Sequence, residues 1–347
     1  MTRLKDIAVQ AGVSIMTVSK ALRDAPDVST ATKAKIKLLA QQLGYVPDSS
    51  AQGLRTRTTR LLGVAVPSVT DPFLAPALLA IEERASELGY DVMLGQTLGV
   101  THREEACIHR FLARRVDGLF IAPVYRIPTE ARIYQELLAR KVPTVLLGHT
   151  APFCQQFSST EVIDLVASYA VTRHLLQLGH KRIAFLAGPL ATPWARERLE
   201  GYRRALREAG QDLDDKLVFP AGSRIEDGVK AAAQLMSEGT EATAVQVVND
   251  LVAIGFAKTM IERGLRIPED ISIAGFGDVP QAEHFCVPLT TANQPKYRLG
   301  VAAVAMMQRL LKGLSPDGKP LTAELIVRSS TGTPSATPPF RHPNLNK

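Results

Sequence analysis

The stretch LKDIAVQAGVSIMTVSKAL, residues 4–22, decides how the start of this chain folds. Leu4, Ile7, Ala8 and Ala11 recur at the i, i+3, i+4, i+7 spacing of a single helix face. Gly12 suits the end of that helix, because it enters the left-handed region without a Cβ penalty. Ser14 is placed to cap a second helix over 15–22, with Val18, Ala21 and Leu22 turned inward. Asp24 to Asp27 breaks the chain, and Ser29 caps a third helix that ends near Gly44. Its buried stripe is Ile36, Leu39, Ala40 and Leu43, which leaves Lys33, Lys35 and Lys37 on other faces. Helix, tight glycine turn, helix and a bracing third helix make the helix-turn-helix arrangement, whose second helix projects into a DNA major groove.

The charge agrees with that reading. Residues 1–60 hold ten Lys/Arg against four Asp, a net of +6, while the whole chain carries +7. A basic head on a nearly neutral body is expected to meet a polyanion; from charge alone, a solvated lysine-rich face is the alternative. At 347 residues the chain exceeds one compact domain of roughly 250–300, so at least two are expected. No run of about 18 apolar residues exists, so no membrane partner is expected. The N-terminus lacks the apolar stretch of a secretory signal. Cys107, Cys154 and Cys286 are far apart and show no CxxC spacing, which excludes a disulfide framework or zinc cluster and fits a reducing cytoplasm.

From Leu61 onward, apolar runs alternate with amphipathic stretches. Strands are predicted at 61–66, 90–94, 117–121 and 143–147, and again at 182–186, 244–248 and 271–276. Helical patterns fill the gaps, for example Leu78 to Leu88 and Glu104 to Arg114. Two such runs imply two α/β lobes with parallel sheets, and ligands in these folds bind beyond the C-terminal strand ends. Catalytic readings find no constellation. GFGDVP at 275–280 lacks the third glycine of a dinucleotide loop, and neither a Walker loop nor GxSxG is present. His102, Glu105 and His109, with Cys107 nearby, lack the HExxH geometry and read as a solvated helix face. The chain is therefore expected to be no enzyme and to use no metal or cofactor.

AlaGlyValSer (11–14), ThrValSerLys (17–20), LeuGlyTyrValPro (43–47) and AlaGlnGlyLeuArg (51–55) together resemble the LacI/GalR family of bacterial transcription regulators, and the resemblance runs through residue 333. It implies an α-helical helix-turn-helix head plus an α/β body of two parallel-sheet lobes, periplasmic-binding-protein-like, with chain crossovers between the lobes. The implied division is a head at 1–46, a hinge helix and linker at 47–60, an effector-binding and dimerisation body at 61–333, and a disordered proline-rich tail at 334–347. The implied partners are a double-stranded, pseudo-palindromic DNA operator, a small-molecule effector and a second copy of the chain, at the bacterial nucleoid. A repressor is the expected mode. The alternative is a cytoplasmic sugar-binding or sugar-processing protein whose head serves another polyanion.

The resemblance also assigns residues. Ile15, Met16 and Lys20 fall at base-reading positions, and Thr17 and Ser19 at phosphate contacts. Ala51 and Leu54 fall where the family's hinge enters the minor groove, with Leu54 as the wedge; an exposed linker leucine is the alternative. In the body, Arg198 resembles the arginine that grips the effector, against a surface ion pair with Glu197 or Glu200. Phe73 and Trp194 fall over the ligand, though each could be core. Asn249 is expected to hold a ligand hydroxyl and Asp250 to cap the following helix. Three departures stand out. Arg3 replaces a Thr cap, Asp48 replaces the usual Asn, and Gly277-Asp278 replaces an Asp-Asp pair, which makes Asp278 a weaker effector candidate. Asp164 aligns loosely and is weaker still. A sugar or sugar acid is the expected effector.

Overall fold

The structure, a computed structural model, describes residues 2–46 and 58–335. The chain divides into two compact units, Met1–Thr59 and Arg60–Lys347.

The first unit carries α1 (Leu4–Ala11), α2 (Ile15–Ala21) and α3 (Thr30–Gln42). Arg3 makes no side-chain cap on α1; the Asp6 carboxylate accepts from the Arg3 N–H at 2.8 Å and supplies half of a capping box. Gly12 ends α1 at φ +70°, and the Ser14 Oγ accepts from the Thr17 N–H at 3.1 Å to open α2. Ser29 does the same for α3 through the Thr32 N–H. The core is Ile7, Ala8, Ala11, Val18, Ala21, Ile36 and Ala40, with Leu4, Leu22, Leu39 and Leu43 packed half-buried around it. The Thr2 hydroxyl donates to the Leu43 carbonyl at 2.7 Å, which ties the chain start to the end of α3.

The second unit contains two parallel sheets. In the first lobe the strands are β1 (Leu61–Val66), β2 (Asp91–Gln96), β3 (Gly118–Ile121), β4 (Thr144–Leu147) and β5 (Ser158–Thr160), in spatial order β2-β1-β3-β4-β5. α4 (Ala75–Glu87) covers one face, where Leu62, Val64, Phe120 and Val145 are buried. α5 (Thr101–Ala113) and α6 (Arg132–Ala139) cover the other, over Ala65, Leu119, Ile121 and Leu146. Burial on both faces explains why the central strands β1, β3 and β4 read as continuous apolar runs.

The chain then crosses over through β6 (Val162–Ile163) into α7 (Asp164–Gln177). The second lobe follows with β7 (Ile183–Ala187), α8 (Pro193–Glu208), β8 (Val218–Pro220), α9 (Ile225–Ser237), β9 (Ala244–Val247), α10 (Asp250–Glu262), β10 (Ser272–Ala274), the short α11 (Pro280–His284) and β11 (Thr291–Asn293). Its sheet runs β10-β9-β7-β8. α9 and α10 cover one face and α7 and α8 the other.

The chain next returns to the first lobe as α12 (Lys296–Leu311), whose Leu299, Ala303 and Met307 join the core beside α4. It passes back through β12 (Leu321–Thr322), paired with β6, to β13 (Glu324–Ile326), paired antiparallel with β11. The chain therefore passes between the lobes three times, so neither lobe is one continuous segment.

Close approach of α12 to α4 rests on Gly300, where an added Cβ would lie 2.3 Å from the Ala77 carbonyl oxygen and 2.8 Å from the Ala80 Cβ. Glycine-to-alanine in a helix normally gains up to about 1 kcal/mol. Overpacking against a backbone atom costs about 1–3 kcal/mol and decides the sign. Gly300→Ala should therefore lower the urea midpoint of unfolding, and an unchanged or raised midpoint would show that the helices can part freely.

Candidate functional site

A cleft of about 800 Å³ opens between the two lobes, at the C-terminal ends of β1, β3, β4, β7, β9 and β10. This is where parallel α/β sheets present their loops. Phe73, Trp194, Arg198 and Asn249 all line it, so three segments far apart in sequence converge there. Tyr125, His149, Phe276 and Gln294 line it as well.

Arg198 lies on α8 and is only 6% exposed. Its Nε and Nη2 donate to Asp164 Oδ2 at 3.0 and 2.8 Å, and its Nη1 donates to the Val248 carbonyl at 2.6 Å. The guanidinium lies between the Phe276 ring, 3.8 Å from its centroid, and the Trp194 ring, 4.8 Å away. A planar cation suits such a slot, since both ring faces are electron-rich. Three of the five guanidinium N–H groups are engaged this way, which leaves two for other acceptors on a residue that lines the cleft. Asp164 is fully buried, and its other oxygen accepts from Gln294 Nε2 at 2.8 Å. Burial pushes its carboxyl above the ordinary aspartate range, with the Arg198 charge pulling the other way.

The first unit presents a different surface. Ile15 and Met16 form the first turn of α2 and are 48% and 64% exposed, while Val18 and Ala21 of the same helix are fully buried. The Thr17 hydroxyl lies 2.9 Å from Ser14 Oγ, and Arg23 Nε donates to the Ser19 carbonyl at 2.8 Å. The Lys20 ammonium pairs with Asp27. Lys37 pairs with Asp24 at 2.7 Å, Lys33 donates to the Asp24 carbonyl, and Lys35 donates to the Ala11 carbonyl. Ala51 and Leu54 lie outside the described residues, with all of 47–57 of the hinge and linker expected at 47–60.

Comparison with known proteins matches residues 3–48 to the family described as bacterial regulatory proteins, lacI family, and residues 172–331 to the periplasmic binding protein-like domain. The transcriptional repressor CytR of Escherichia coli K12 is 31% identical over 330 residues, covering 94% of this chain and 96% of its own. The lac repressor dimer bound to operator and the anti-inducer ONPF superposes with a TM-score of 0.84 at 30% identity, covering 95% of this chain and 99% of that one. A complex of the regulator CelR with cellobiose gives 0.73 at 28% identity, with coverages of 95% and 100%. The chain belongs to the lacI family. It is a DNA-binding transcription regulator with a helix-turn-helix head and a periplasmic-binding-protein-like body.

Within this lacI-family chain, several expected positions need correction. Asn249, not Asp250, is the N-cap of α10: its Oδ1 accepts from the Val252 N–H at 2.8 Å, and its Nδ2 donates to the Ser223 carbonyl at 3.1 Å. Both ends of its amide are thus engaged within the protein, although it still borders the cleft. Asp250 is the first helical residue, buried, and accepts from the Thr291 hydroxyl at 2.6 Å and the Val279 N–H at 3.0 Å.

Asp278 does not line the cleft. Its carboxylate pairs with Arg328 at 2.8 Å. Gly277 before it has φ +130°, a backbone that a side-chain-bearing residue rarely takes; an added Cβ would make only ordinary contact with Asp250 Oδ2 at 3.4 Å, so the backbone angle and not space favours glycine there. Arg198 makes no surface ion pair with Glu197 or Glu200; its partner is the buried Asp164. Among the described residues no group of His, Cys, Asp and Glu could hold a metal, and His109 instead pairs with Glu136 at 3.0 Å.

His149 was missed. It follows β4 at the strand's C-terminal end, the position that the strand-end rule marks, and its Nε2 lies 3.2 Å from Glu197 Oε2 on α8. Glu197 also accepts from the Asp164 N–H at 3.2 Å, so this contact joins the first lobe to the crossover. Burial works against a charged His149, but the Glu197 bond and the nearby Asp164 outweigh it and raise its pKa above the usual value. Burial pushes Glu197 up, and the His149 bond more than reverses this.

A raised histidine pKa contributes stability that is complete below pH 6.5 and is lost as pH climbs through the folded value. The depressed Glu197 contributes stability present above pH 4.5 and lost as pH falls through its folded value. Glu197 is 37% exposed, which keeps the pair to about 1 kcal/mol or less. Thermal melts should therefore show wild type above His149→Gln near about pH 5.5, with the gap closing toward about pH 8.5. A gap independent of pH would exclude coupled titration.

Proposed function

We propose that the chain is a repressor that binds a pseudo-palindromic operator as a homodimer and releases or tightens its hold when a sugar or sugar acid enters the cleft. The observation that carries this reading is the pair Ile15 and Met16, two large apolar side chains exposed on the first turn of a capped helix in a basic head. Apolar side chains have no donor for amide–adenine or Arg–guanine pairing, but they match the thymine methyl in the major groove. Lys20, one turn on, can exchange its exposed Asp27 partner for guanine O6 and N7. Thr17 and Ser19 face phosphates, and Lys33, Lys35 and Lys37 add sequence-independent, salt-sensitive attraction.

The division into a head at 1–46, a hinge at 47–60, a body at 61–333 and a tail at 334–347 belongs to the same reading, as do Ala51 and Leu54 in the minor groove and Leu54 at a central CG step. Phe73 and Trp194 suit the apolar face of a sugar, and the two remaining Arg198 N–H groups suit its hydroxyls. The chain acts in the bacterial cytoplasm, on the nucleoid, and performs no catalysis of its own. The lac repressor's operator complex and the cellobiose complex of CelR support this pairing of partners.

Selection from a random duplex pool, with wild type and Met16→Gln side by side, tests the head. Wild type should recover symmetric half-sites with thymines under residues 15 and 16 and guanine near Lys20. Met16→Gln should change the preferred base at one position, with discrimination of about 1–3 kcal/mol. Recovery of the same half-site by both proteins would remove residue 16 from the reading surface.

A further inference from the structure

The cleft contains an arginine that already has a carboxylate. In an open anion site the side edge of a guanidinium, Nε with one terminal nitrogen, grips an incoming carboxylate by two parallel bonds. Here that edge of Arg198 is bonded to Asp164, which is itself fully buried and held from the far side by Gln294. From the cleft the pair is neutral.

The rest of the lining adds no positive excess: Arg198, Arg224 and His149 stand against Asp71, Asp164 and Asp250. His149 is engaged by Glu197, and Arg224 is exposed. An anionic ligand beside Arg198 would meet the carboxylate of Asp164, itself fully buried, at short range, and like charges away from bulk water repel strongly. Hydroxyl groups meet no such penalty, because the two remaining Arg198 N–H groups can donate to them.

We infer that Asp164 is a specificity-determining residue: it supplies from within the protein the carboxylate that an acidic ligand would otherwise bring, so the cleft takes an uncharged polyhydroxylated effector and rejects its carboxylate and phosphate analogues. This rests on the effector reading above and narrows it from sugar or sugar acid to neutral sugar. Asp164 acts through Arg198 and need not touch the ligand.

The test is thermal shift on the full chain with matched probes: glucose against glucuronate, galactose against galacturonate, and inorganic phosphate. Wild type should not be stabilised by the uronates or by phosphate. Asp164→Asn keeps the shape, lets Gln294 turn its amide to match, and leaves the Arg198 charge without a counter-ion. It should gain a uronate response, with apparent affinity about tenfold or more above wild type. Asp164→Ser is the second variant if the first does not fold.

Stabilisation of wild type by a uronate or phosphate beyond that of the neutral partner overturns the inference, as does a folded Asp164 variant that gains no uronate response. Wild type silent to every probe, with a uronate response gained by the variant, supports the role of Asp164 and counts instead against these sugars as effectors. If neither variant folds, the wild-type arm decides: a uronate response overturns the inference and its absence supports it. Operator selection is read separately, so loss of the regulator reading cannot be mistaken for loss of this one.

Discussion

Taking a guanidinium and a carboxylate out of water costs several kcal/mol per ion, and their mutual attraction recovers this only when the remaining polar atoms are bonded too. Arg198 and Asp164 meet that condition. The Gln294 amide holds the second Asp164 oxygen, the Val248 carbonyl takes a further guanidinium proton, and Trp194 and Phe276 cover the faces of the cation. The partners come from different parts of the architecture: Asp164 opens α7 directly after the first crossover, Gln294 follows β11 at the second, and Val248 directly follows β9. Losing either member of such a pair typically costs about 3–5 kcal/mol, because the other is left buried and uncompensated. A ligand that redistributes the Arg198 hydrogen bonds therefore acts on the segments that join the lobes, and so has a physical route to bias their relative position.

Much of this architecture was readable because the central strands of both sheets are buried on both faces. β1 spans 61–66 as its apolar run predicts, and β2, β3, β4, β7, β9 and β10 fall within one or two residues of their predicted ends or inside the predicted runs. β8 was not readable: it is three residues long, ends in Pro220 and lies at a sheet edge, where a missing N–H is tolerated. The crossover strands β6, β11, β12 and β13 are two or three residues long and mostly polar or half-buried, so they leave no periodicity to detect. In the head, glycine, serine caps and helical spacing sufficed, since each is a local signal that tertiary packing does not override.

The cleft was legible in its outline but not in its wiring. Phe73, Trp194, Arg198 and Asn249 do border it. Which atoms face a ligand depends on hydrogen bonds between segments 30 to 130 residues apart, as in Arg198 to Asp164 and Gln294 to Asp164. No spacing rule reaches that far. The exchange of roles between Asn249 and Asp250 turned on one residue of helix phase, which cap assignments from sequence do not resolve. Asp278 was drawn away by Arg328, fifty residues downstream, and Gly277 permits the unusual backbone that turns the loop.

The head and the body handle charge in opposite ways, and this bears on specificity. The body buries its central ion pair, where partner exchange is costly. The head keeps its pairs in water: Lys20 with Asp27 and Lys37 with Asp24 are each about half exposed. Exposed pairs contribute about 0–1 kcal/mol, so a phosphate or a base edge can displace the aspartate with little loss. The same aspartates still lower the net attraction to any duplex, because each must be released or left near phosphates when DNA binds. Non-specific affinity is almost wholly electrostatic and is reduced accordingly, whereas apolar contacts with base edges, the role proposed for Ile15 and Met16, do not depend on charge. Partial neutralisation of a basic head therefore shifts the balance of binding from backbone attraction toward base reading. The Ser14 cap, by fixing the first turn of α2, fixes where those two side chains point.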